Sequence, residues 1–204
     1  MLIFLTSIAA KTIHLLVPFL PKPVAEMRVA FIPNAADIYN PHPWIESDRD
    51  VLVGLGFGVE DVDLRTCRRG DLKKRLSEVD IIFVAGGSTS YLLEQAQLSG
   101  FVDIVRDLMR AGKVYVGSSA GSILAGPDIE VDKVYDEGDF GKTLSSYEGL
   151  GLVDFVVLPH ADRPDYLPYM ERAEHEYWEG RKLVRLNDNQ AFFVTDDGMK
   201  LLEA

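Results

Sequence analysis

A serine between two glycines is the residue pattern with the clearest chemistry in this sequence. Val114 to Ile123 reads as a strand that enters Gly117-Ser118-Ser119-Ala120-Gly121 and continues as a helix. The Gly-x-Ser-x-Gly spacing is typical of a nucleophile elbow, because a sharp strand-to-helix turn leaves room only for small residues. Free N–H groups at the helix start would favour an anionic intermediate. Ser119 is therefore the predicted nucleophile; the alternative is a turn that only packs a helix against the sheet.

A second glycine turn, Ala85-Gly86-Gly87-Ser88-Thr89, follows the preceding predicted strand. In a parallel sheet the two turns would lie at the same edge, so N–H groups of this turn and of Ala120 could form an oxyanion hole. The alternative is a helix start capped by Ser88 or Thr89. The two interpretations are compatible.

A serine nucleophile needs a general base, and the sequence offers four histidines: His14, His42, His160 and His175. His160 follows the apolar segment Val153 to Leu158, which places it at the carboxyl edge of the predicted sheet. His175 lies between two glutamates in a predicted helix, which is typical of a solvated side chain. His42 lies in a loop between prolines, and His14 in the first predicted helix. Position therefore favours His160.

Three of these motifs together carry a resemblance to a known family. The elbow, Gly86-Gly87-Ser88-Thr89 and Pro159-His160 resemble, in order and spacing, the S51 serine peptidases, which include aspartyl dipeptidases (peptidase E) and cyanophycinase. That family is similar in fold to class I glutamine amidotransferases, which carry cysteine at the elbow. The resemblance spans nearly the whole chain. It implies Ser119 as nucleophile, His160 as general base, and N–H groups of Gly87 and Ala120 as the oxyanion hole.

The acid of the implied triad is where the sequence departs from the family pattern. Aspartyl dipeptidases have an aspartate a short distance after the serine, and here Asp132 and Asp136 flank that position. Cyanophycinase-like members instead use a glutamate in a late segment that Leu186 to Ala191 resembles, with Asp188 in the acidic place. We favour Asp188 and keep Asp132 and Asp136 as alternatives.

The resemblance also implies substrate-binding residues. Aspartyl dipeptidases use an arginine in the helix after the histidine to hold an acidic side chain, so Arg172 and Arg163 are candidates, although neither stands at the family position. An ion pair on the helix surface is an equally good interpretation of Arg172. Ser88 of the second glycine turn is a third candidate. A preference for N-terminal Asp is therefore implied only by the family.

The motifs require a scaffold that brings their ends together. Short β-branched runs alternate with helical spacing; strands are predicted at 28–33, 59–64, 81–85 and 114–117, and helices at 45–55, 72–76 and 91–110, with a break near Gly100. Ile81 to Ala85 is apolar on both faces, as a parallel strand covered by helices should be. We therefore predict a single α/β domain over residues 1–204, with a three-layer, doubly wound, mainly parallel sheet and helices on both faces.

Further elements are predicted in the first 18 residues and after residue 125. A buried strand at 2–6 should precede a helix that ends before Pro18. The polar and acidic segment 126–146 is predicted to be a loop or flap. After it we expect a strand at 152–158, a helix at 166–178 and a C-terminal β-hairpin at 190–202 that turns at 196–198.

Composition excludes several classes of protein. The net charge of −11 and the lack of a basic run argue against nucleic acid or an anionic membrane as partner. Cys67 is the only cysteine, so neither an intrachain disulfide nor a cysteine zinc site can form. Lys11 and His14 interrupt the apolar N-terminal run, which does not fit a signal peptide. A cytoplasmic location is expected.

The sequence therefore predicts a serine peptidase that acts on dipeptides or other short peptides, without metal or cofactor. Two alternatives stay open. One is another serine hydrolase, such as an esterase or a cyanophycinase-like peptidase; the other is an amidotransferase-like binding module that has lost catalysis. The oligomeric state is not predicted.

Overall fold

A seven-stranded sheet forms the centre of the computed structural model, which describes residues 1–135 and 143–204. The strands of the chain are β1 (Leu2–Thr6), β2 (Arg28–Ile32), β3 (Gly58–Asp61), β4 (Ile81–Val84), β5 (Val114–Ser118), β6 (Val156–Pro159), β7 (Leu183–Leu186), β8 (Gln190–Thr195) and β9 (Gly198–Glu203). The sheet has the order β3-β2-β4-β5-β1-β8-β9, and β6 and β7 form a separate parallel pair.

Helices cover both faces of the sheet. They are α1 (Ala9–Thr12), α2 (Pro43–Leu55), α3 (Arg69–Ser77), α4 (Thr89–Ser99), α5 (Phe101–Arg110), α6 (Ala120–Leu124) and α7 (Leu167–Glu176). Shorter 3-10 helices span Ile13–Phe19, Val24–Glu26, Asn34–Ala36 and Glu130–Tyr135. Two separate apolar clusters result: α1 and α2 pack on one face, and α3 to α6 pack on the other. This arrangement confirms the predicted three-layer α/β architecture.

The central strands run parallel, which brings their carboxyl ends to one edge. β3, β2, β4, β5 and β1 run parallel to one another, whereas β8 is antiparallel to β1 and forms the predicted C-terminal hairpin with β9. β4 and β5 are buried at every position, as strands between two helical layers must be. The turns that follow β4, β5 and β1 therefore meet at this edge.

Several predicted boundaries were wrong for local reasons. The first helix does not end before Pro18, because a 3-10 helix continues through this proline to Phe19. The strand predicted from Leu152 starts only at Val156, because the N–H groups of Leu152 and Val153 donate to the carbonyl of Ala125 beside α6. β7 was missed, because it is short and pairs only with β6.

The structure also refines the predicted helix at 91–110 and the predicted flap at 126–146. The long helix predicted at 91–110 is two helices that meet at Gly100, whose φ of 75° ends α4. Part of the predicted flap forms the 3-10 helix Glu130–Tyr135, and residues 136–142 lie outside the described part of the chain. Among the helices described, none is both long and apolar enough to cross a membrane.

Candidate active site

The turn between β5 and α6 holds Ser119 in an unusual backbone conformation. Its φ of 48° and ψ of −106° lie outside the regions that non-glycine residues usually occupy, and such strain is found mainly at functional sites. The turn is tied to β1, because the N–H of Ser119 donates to the carbonyl of Thr6 at 2.9 Å. The Ser122 hydroxyl also donates to that carbonyl, and accepts from the N–H of Thr6. Two residues of the elbow region are therefore bound to Thr6 of β1.

The glycines around Ser119 are required by close backbone approach. A Cβ atom on Gly121 would lie 2.1 Å from the carbonyl oxygen of Val84 on β4. A Cβ atom on Gly117 would lie 2.5 Å from the carbonyl oxygen of Gly121. Real Cβ atoms do not approach backbone atoms so closely, so Gly121 is required by the packing of the turn against β4 and Gly117 by the tightness of the turn itself.

His160 reaches Ser119 from the end of β6. Its Nε2 atom lies 3.0 Å from Ser119 Oγ, and its backbone φ is 65°. Ser7 at the end of β1 anchors this position, because its hydroxyl accepts from the N–H of His160 at 2.9 Å and donates to the carbonyl of Leu186 at 2.7 Å. Ser7 thus joins the main sheet to the β6–β7 pair and fixes the base beside the elbow.

Asp188 contacts the other ring nitrogen of His160. Its Oδ1 atom lies 2.6 Å from His160 Nδ1, and only 3% of Asp188 is exposed. Oδ2 of the same carboxylate accepts from Arg163 Nε at 2.7 Å and lies 3.7 Å from Lys11 Nζ. Two cations and the imidazole therefore surround this acid, and the N–H of Asp188 is held by the Asp162 carboxylate at 2.8 Å.

The protonation states suit a general base. Burial lowers the pKa of His160, and this effect outweighs the hydrogen bond that the ring donates to Asp188, which would raise it. Burial alone would raise the pKa of Asp188, but hydrogen bonds from His160 and Arg163 hold it below its ordinary value. At neutral pH the pair is thus a neutral imidazole next to an ionised carboxylate, which can accept the proton of Ser119.

The second glycine turn lies against the nucleophile. A Cβ atom on Gly86 would lie 3.0 Å from Ser119 Cβ, and Gly87 has a φ of 146° that side chains rarely adopt. Ala120 is the first residue of α6, so its N–H has no partner within the helix. Within the described residues, no backbone carbonyl accepts from the N–H of Gly87 or of Ala120. Neither N–H is thus committed to a backbone partner in that part of the chain, which is a condition for an oxyanion hole.

A cavity of about 370 Å³ opens onto Ser119 and His160. Its walls combine backbone of the two glycine turns with apolar, aromatic and a few charged side chains: Ser7, Ile8, Tyr39, Trp44, Asp48, Thr89, Ser118, Ile123, Asp132, Pro159, Arg163 and Tyr166. Binding sites for small molecules typically have this size and composition.

Several candidate residues from the sequence make contacts that differ from their predicted roles. Ser88 is fully buried and caps α4, since its hydroxyl accepts from the N–H of Tyr91; it is not among the residues that line the cavity, which favours the capping interpretation over a contact with substrate. Asp132 lines the cavity, but its carboxylate accepts from the N–H and hydroxyl of Ser90. Asp136 lies outside the described residues.

The two arginine candidates also differ from the expectation. Arg172 contacts Glu176 and the carbonyl of Val134 and does not line the cavity, which matches the surface ion-pair interpretation rather than substrate binding. Arg163 does line the cavity, but its guanidinium is bound to Asp188.

Other residues of the site were missed at the sequence level. Ser7, Trp44 and Asp48 border the cavity, yet no motif surrounds them. Trp44 is oriented by its indole N–H, which donates to the carbonyl of Gly86 at 3.1 Å. Tyr166 packs beside the ring of His160 at a centroid distance of 4.8 Å. The fact that Ser7 and Ser119 follow neighbouring strands was the one signal that could have linked them.

Comparisons with known proteins show the family of this chain. Residues 5–202 match the sequence model of peptidase family S51. The chain belongs to peptidase family S51. It is 30% identical over 166 residues to an uncharacterized peptidase of Listeria monocytogenes, with 81% of each chain covered, and 33% identical to peptidase E of Streptomyces coelicolor, covering 72% of this chain and 55% of that protein.

A solved structure supports the same assignment. The crystal structure of a protein assigned to peptidase E, from Listeria monocytogenes, superimposes with a TM-score of 0.91 at 26% identity and covers 100% of this chain and 98% of that chain. As a member of family S51, the protein is a serine-type peptidase.

Proposed function

We propose that this S51 peptidase hydrolyses dipeptides or other short peptides with the triad Ser119, His160 and Asp188. The observation that carries the proposal is the continuous chain of contacts from Ser119 Oγ to His160 Nε2 at 3.0 Å and from His160 Nδ1 to Asp188 Oδ1 at 2.6 Å. Base and acid contact different nitrogens of one ring, which is the arrangement that acyl transfer requires.

The geometry supports a complete reaction. His160 Nε2 takes the proton of Ser119 Oγ as this oxygen attacks the peptide carbonyl. Asp188 accepts from Nδ1–H, which fixes the tautomer and stabilises the imidazolium that forms. The N–H groups of Gly87 and Ala120 stabilise the oxyanion of the tetrahedral intermediate. His160 then returns the proton to the leaving amine, and water releases the acyl group from Ser119 by the same steps.

The cavity supports a small substrate. Its volume of about 370 Å³ lies near the lower end of the range for small-molecule sites, which suits a dipeptide better than a folded protein. Two relatives are named peptidase E and probable alpha-aspartyl dipeptidase, which agrees with a dipeptide substrate. An N-terminal Asp preference and a cytoplasmic location stay predictions.

A panel of dipeptides with acidic, neutral and basic N-terminal residues tests this proposal. We expect hydrolysis by the wild-type protein and a loss of at least about 10³-fold in kcat for Ser119→Ala, because the nucleophile is gone. Ser77→Ala is the matched control, since Ser77 ends α3 on the surface, at the other edge of the sheet. Full activity of Ser119→Ala would contradict the mechanism, and cleavage of esters but of no peptide would favour the esterase alternative.

A further inference from the structure

Asp48 is a buried carboxyl group that borders the catalytic cavity and that the proposed mechanism does not use. It lies on α2, is 3% exposed, and accepts from the N–H of Ala10 at 2.8 Å. Its other neighbour is the hydroxyl of Ser118, the residue next to the nucleophile. A carboxyl group so close to the elbow can contact whatever occupies the cavity.

No described cation neutralises this carboxyl group. Burial raises the pKa of Asp48 to about 6, and the hydrogen bonds from Ala10 and Ser118 offset this only in part. The elements packed against α2 carry Lys11, His14, Glu60 and Asp61, none of them buried, and α2 itself carries Glu46, Arg49 and Asp50. Arg49 is paired with Asp61. A buried carboxylate without a counterion is costly, so an incoming cation would be stabilised there.

Aromatic side chains add to this preference. Trp44, four residues before Asp48 on α2, lines the cavity and is fixed by its bond to Gly86. Tyr39 lines the same cavity and packs edge-on against Trp44 with a centroid distance of 5.6 Å. Aromatic faces attract ammonium groups through the ring quadrupole. The carboxyl group and the two rings therefore favour the same kind of ligand.

We propose that Asp48, with Trp44 and Tyr39, binds an ammonium group of the substrate beside Ser119. The proposal rests on the proposed peptidase function and names its substrate class: peptides that present a cation on this side of the cavity. The cation is either the α-ammonium of the first residue or the side chain of a basic residue. This proposal opposes the N-terminal Asp preference that the family resemblance implies: acidic N-terminal residues should be poor substrates, because Asp48 and Asp132 both border the cavity while Arg163 is bound to Asp188.

Binding to a catalytically inactive background tests the proposal without requiring turnover. In Ser119→Ala protein, the affinity for Lys-Leu, norleucine-Leu and their N-acetylated forms is measured by calorimetry, with and without Asp48→Asn. We expect Asp48→Asn to weaken binding of the peptide that carries the recognised ammonium group by about 10- to 100-fold, as for loss of a charge-assisted bond. A peptide with neither ammonium group should change by less than about 3-fold. Asp50→Asn, exposed on the same helix, is the matched control.

The panel and the pH distinguish the two sources of the cation. If the α-ammonium is bound, acetylation of norleucine-Leu removes the effect of Asp48→Asn, and affinity falls above pH about 8, where an α-amino group loses its proton. If a lysine side chain is bound, acetylated Lys-Leu keeps the effect and its affinity persists to about pH 10. In both cases affinity should fall as pH drops below about 6, because Asp48 becomes protonated, and Asp48→Asn should abolish this fall.

Each remaining result decides against one proposal. Equal weakening of all peptides by Asp48→Asn, or no binding of any ammonium-bearing peptide at millimolar concentration, would overturn the ammonium site and leave Asp48 as an anchor for α1. Asp48-dependent binding by a wild-type protein that hydrolyses no peptide would instead overturn the proposed peptidase mechanism and leave the ammonium site standing.

Discussion

Asp188 and Asp48 are two equally buried acids in two regions that border Ser119, and their pKa values move in opposite directions. Each is 3% exposed. Asp188 contacts His160, Arg163 and Lys11, and its pKa is lowered. The hydrogen bonds that Asp48 accepts come from an amide and a hydroxyl, and its pKa is raised to about 6. Burial raises the pKa of both acids; the charged partners of Asp188 overcome this effect, whereas the neutral partners of Asp48 offset it only in part.

The two acids differ in where their counter-charge comes from. The region around His160 has its charges balanced by the chain itself, as a pre-organised catalytic group requires. The region around α2 has a carboxyl group beside which no cation lies among the described residues, so in our proposal the ligand supplies the opposite charge. Catalysis and recognition would thus be divided between neighbouring parts of one cavity.

The largest expected effect is the loss of kcat on substitution of Asp188. Asp188→Asn should lower kcat by about 10³- to 10⁴-fold for every substrate, because the amide disfavours the tautomer that accepts the Ser119 proton. Asp132→Asn should cost far less, because Asp132 bonds to Ser90 rather than to His160. Steady-state kinetics measure both. A greater loss in Asp132→Asn would assign the triad acid to the other aspartate.

A smaller effect is expected on the pH dependence of stability at Asp48. Between pH 3.8 and about 6 the folded protein holds a proton on Asp48 that the unfolded chain releases, so this group's contribution to stability falls as pH rises. Asp48→Asn removes the cost of ionisation. From pH 4 to pH 7, the free energy of unfolding of Asp48→Asn relative to the wild type should increase by about 2 kcal/mol. Urea titrations measure this difference; a constant difference across that range would show that Asp48 ionises freely.

The smallest effect concerns the balance of charge around the triad. Arg163→Gln removes a cation that lowers the pKa of both His160 and Asp188. Both values should rise, so the acid limb of the kcat/KM profile should move to higher pH, with a decrease in kcat of about 3- to 10-fold. Arg172→Gln is the control, since Arg172 does not line the cavity. A profile unchanged by Arg163→Gln would show that Arg163 does not influence the base.

Most of the scaffold could be predicted from the sequence, because its strands and turns depend on residues that are close together in the chain. Gly117 and Gly121 are required by one turn, and strands such as Ile81–Val84 are apolar because helices cover both faces. The S51 resemblance then placed His160 and Asp188 in one site, and the structure puts them within hydrogen-bonding distance, although their catalytic roles stay predictions.

What the sequence could not predict depends on contacts distant in the chain. Ser7 fixes His160 from 153 residues away, and nothing near Ser7 in the sequence signals this role. From the sequence alone, Asp48 is one polar residue of an amphipathic helix. Only the structure shows that it is buried where α2 packs against α1. Ser88 and Arg172 were candidates for substrate binding from their places in the chain and from the family resemblance, whereas their partners in the structure depend on side-chain direction.

Covalent labelling of Ser119 is the most direct test of the central claim that it is the nucleophile activated by His160. A fluorophosphonate probe should form one adduct on the folded protein, which mass spectrometry of proteolytic fragments should locate on Ser119. Ser119→Ala should abolish this adduct, and His160→Ala should slow its formation by at least about 10²-fold. Labelling of a different serine, or no labelling of a folded protein that still hydrolyses dipeptides, would contradict the account.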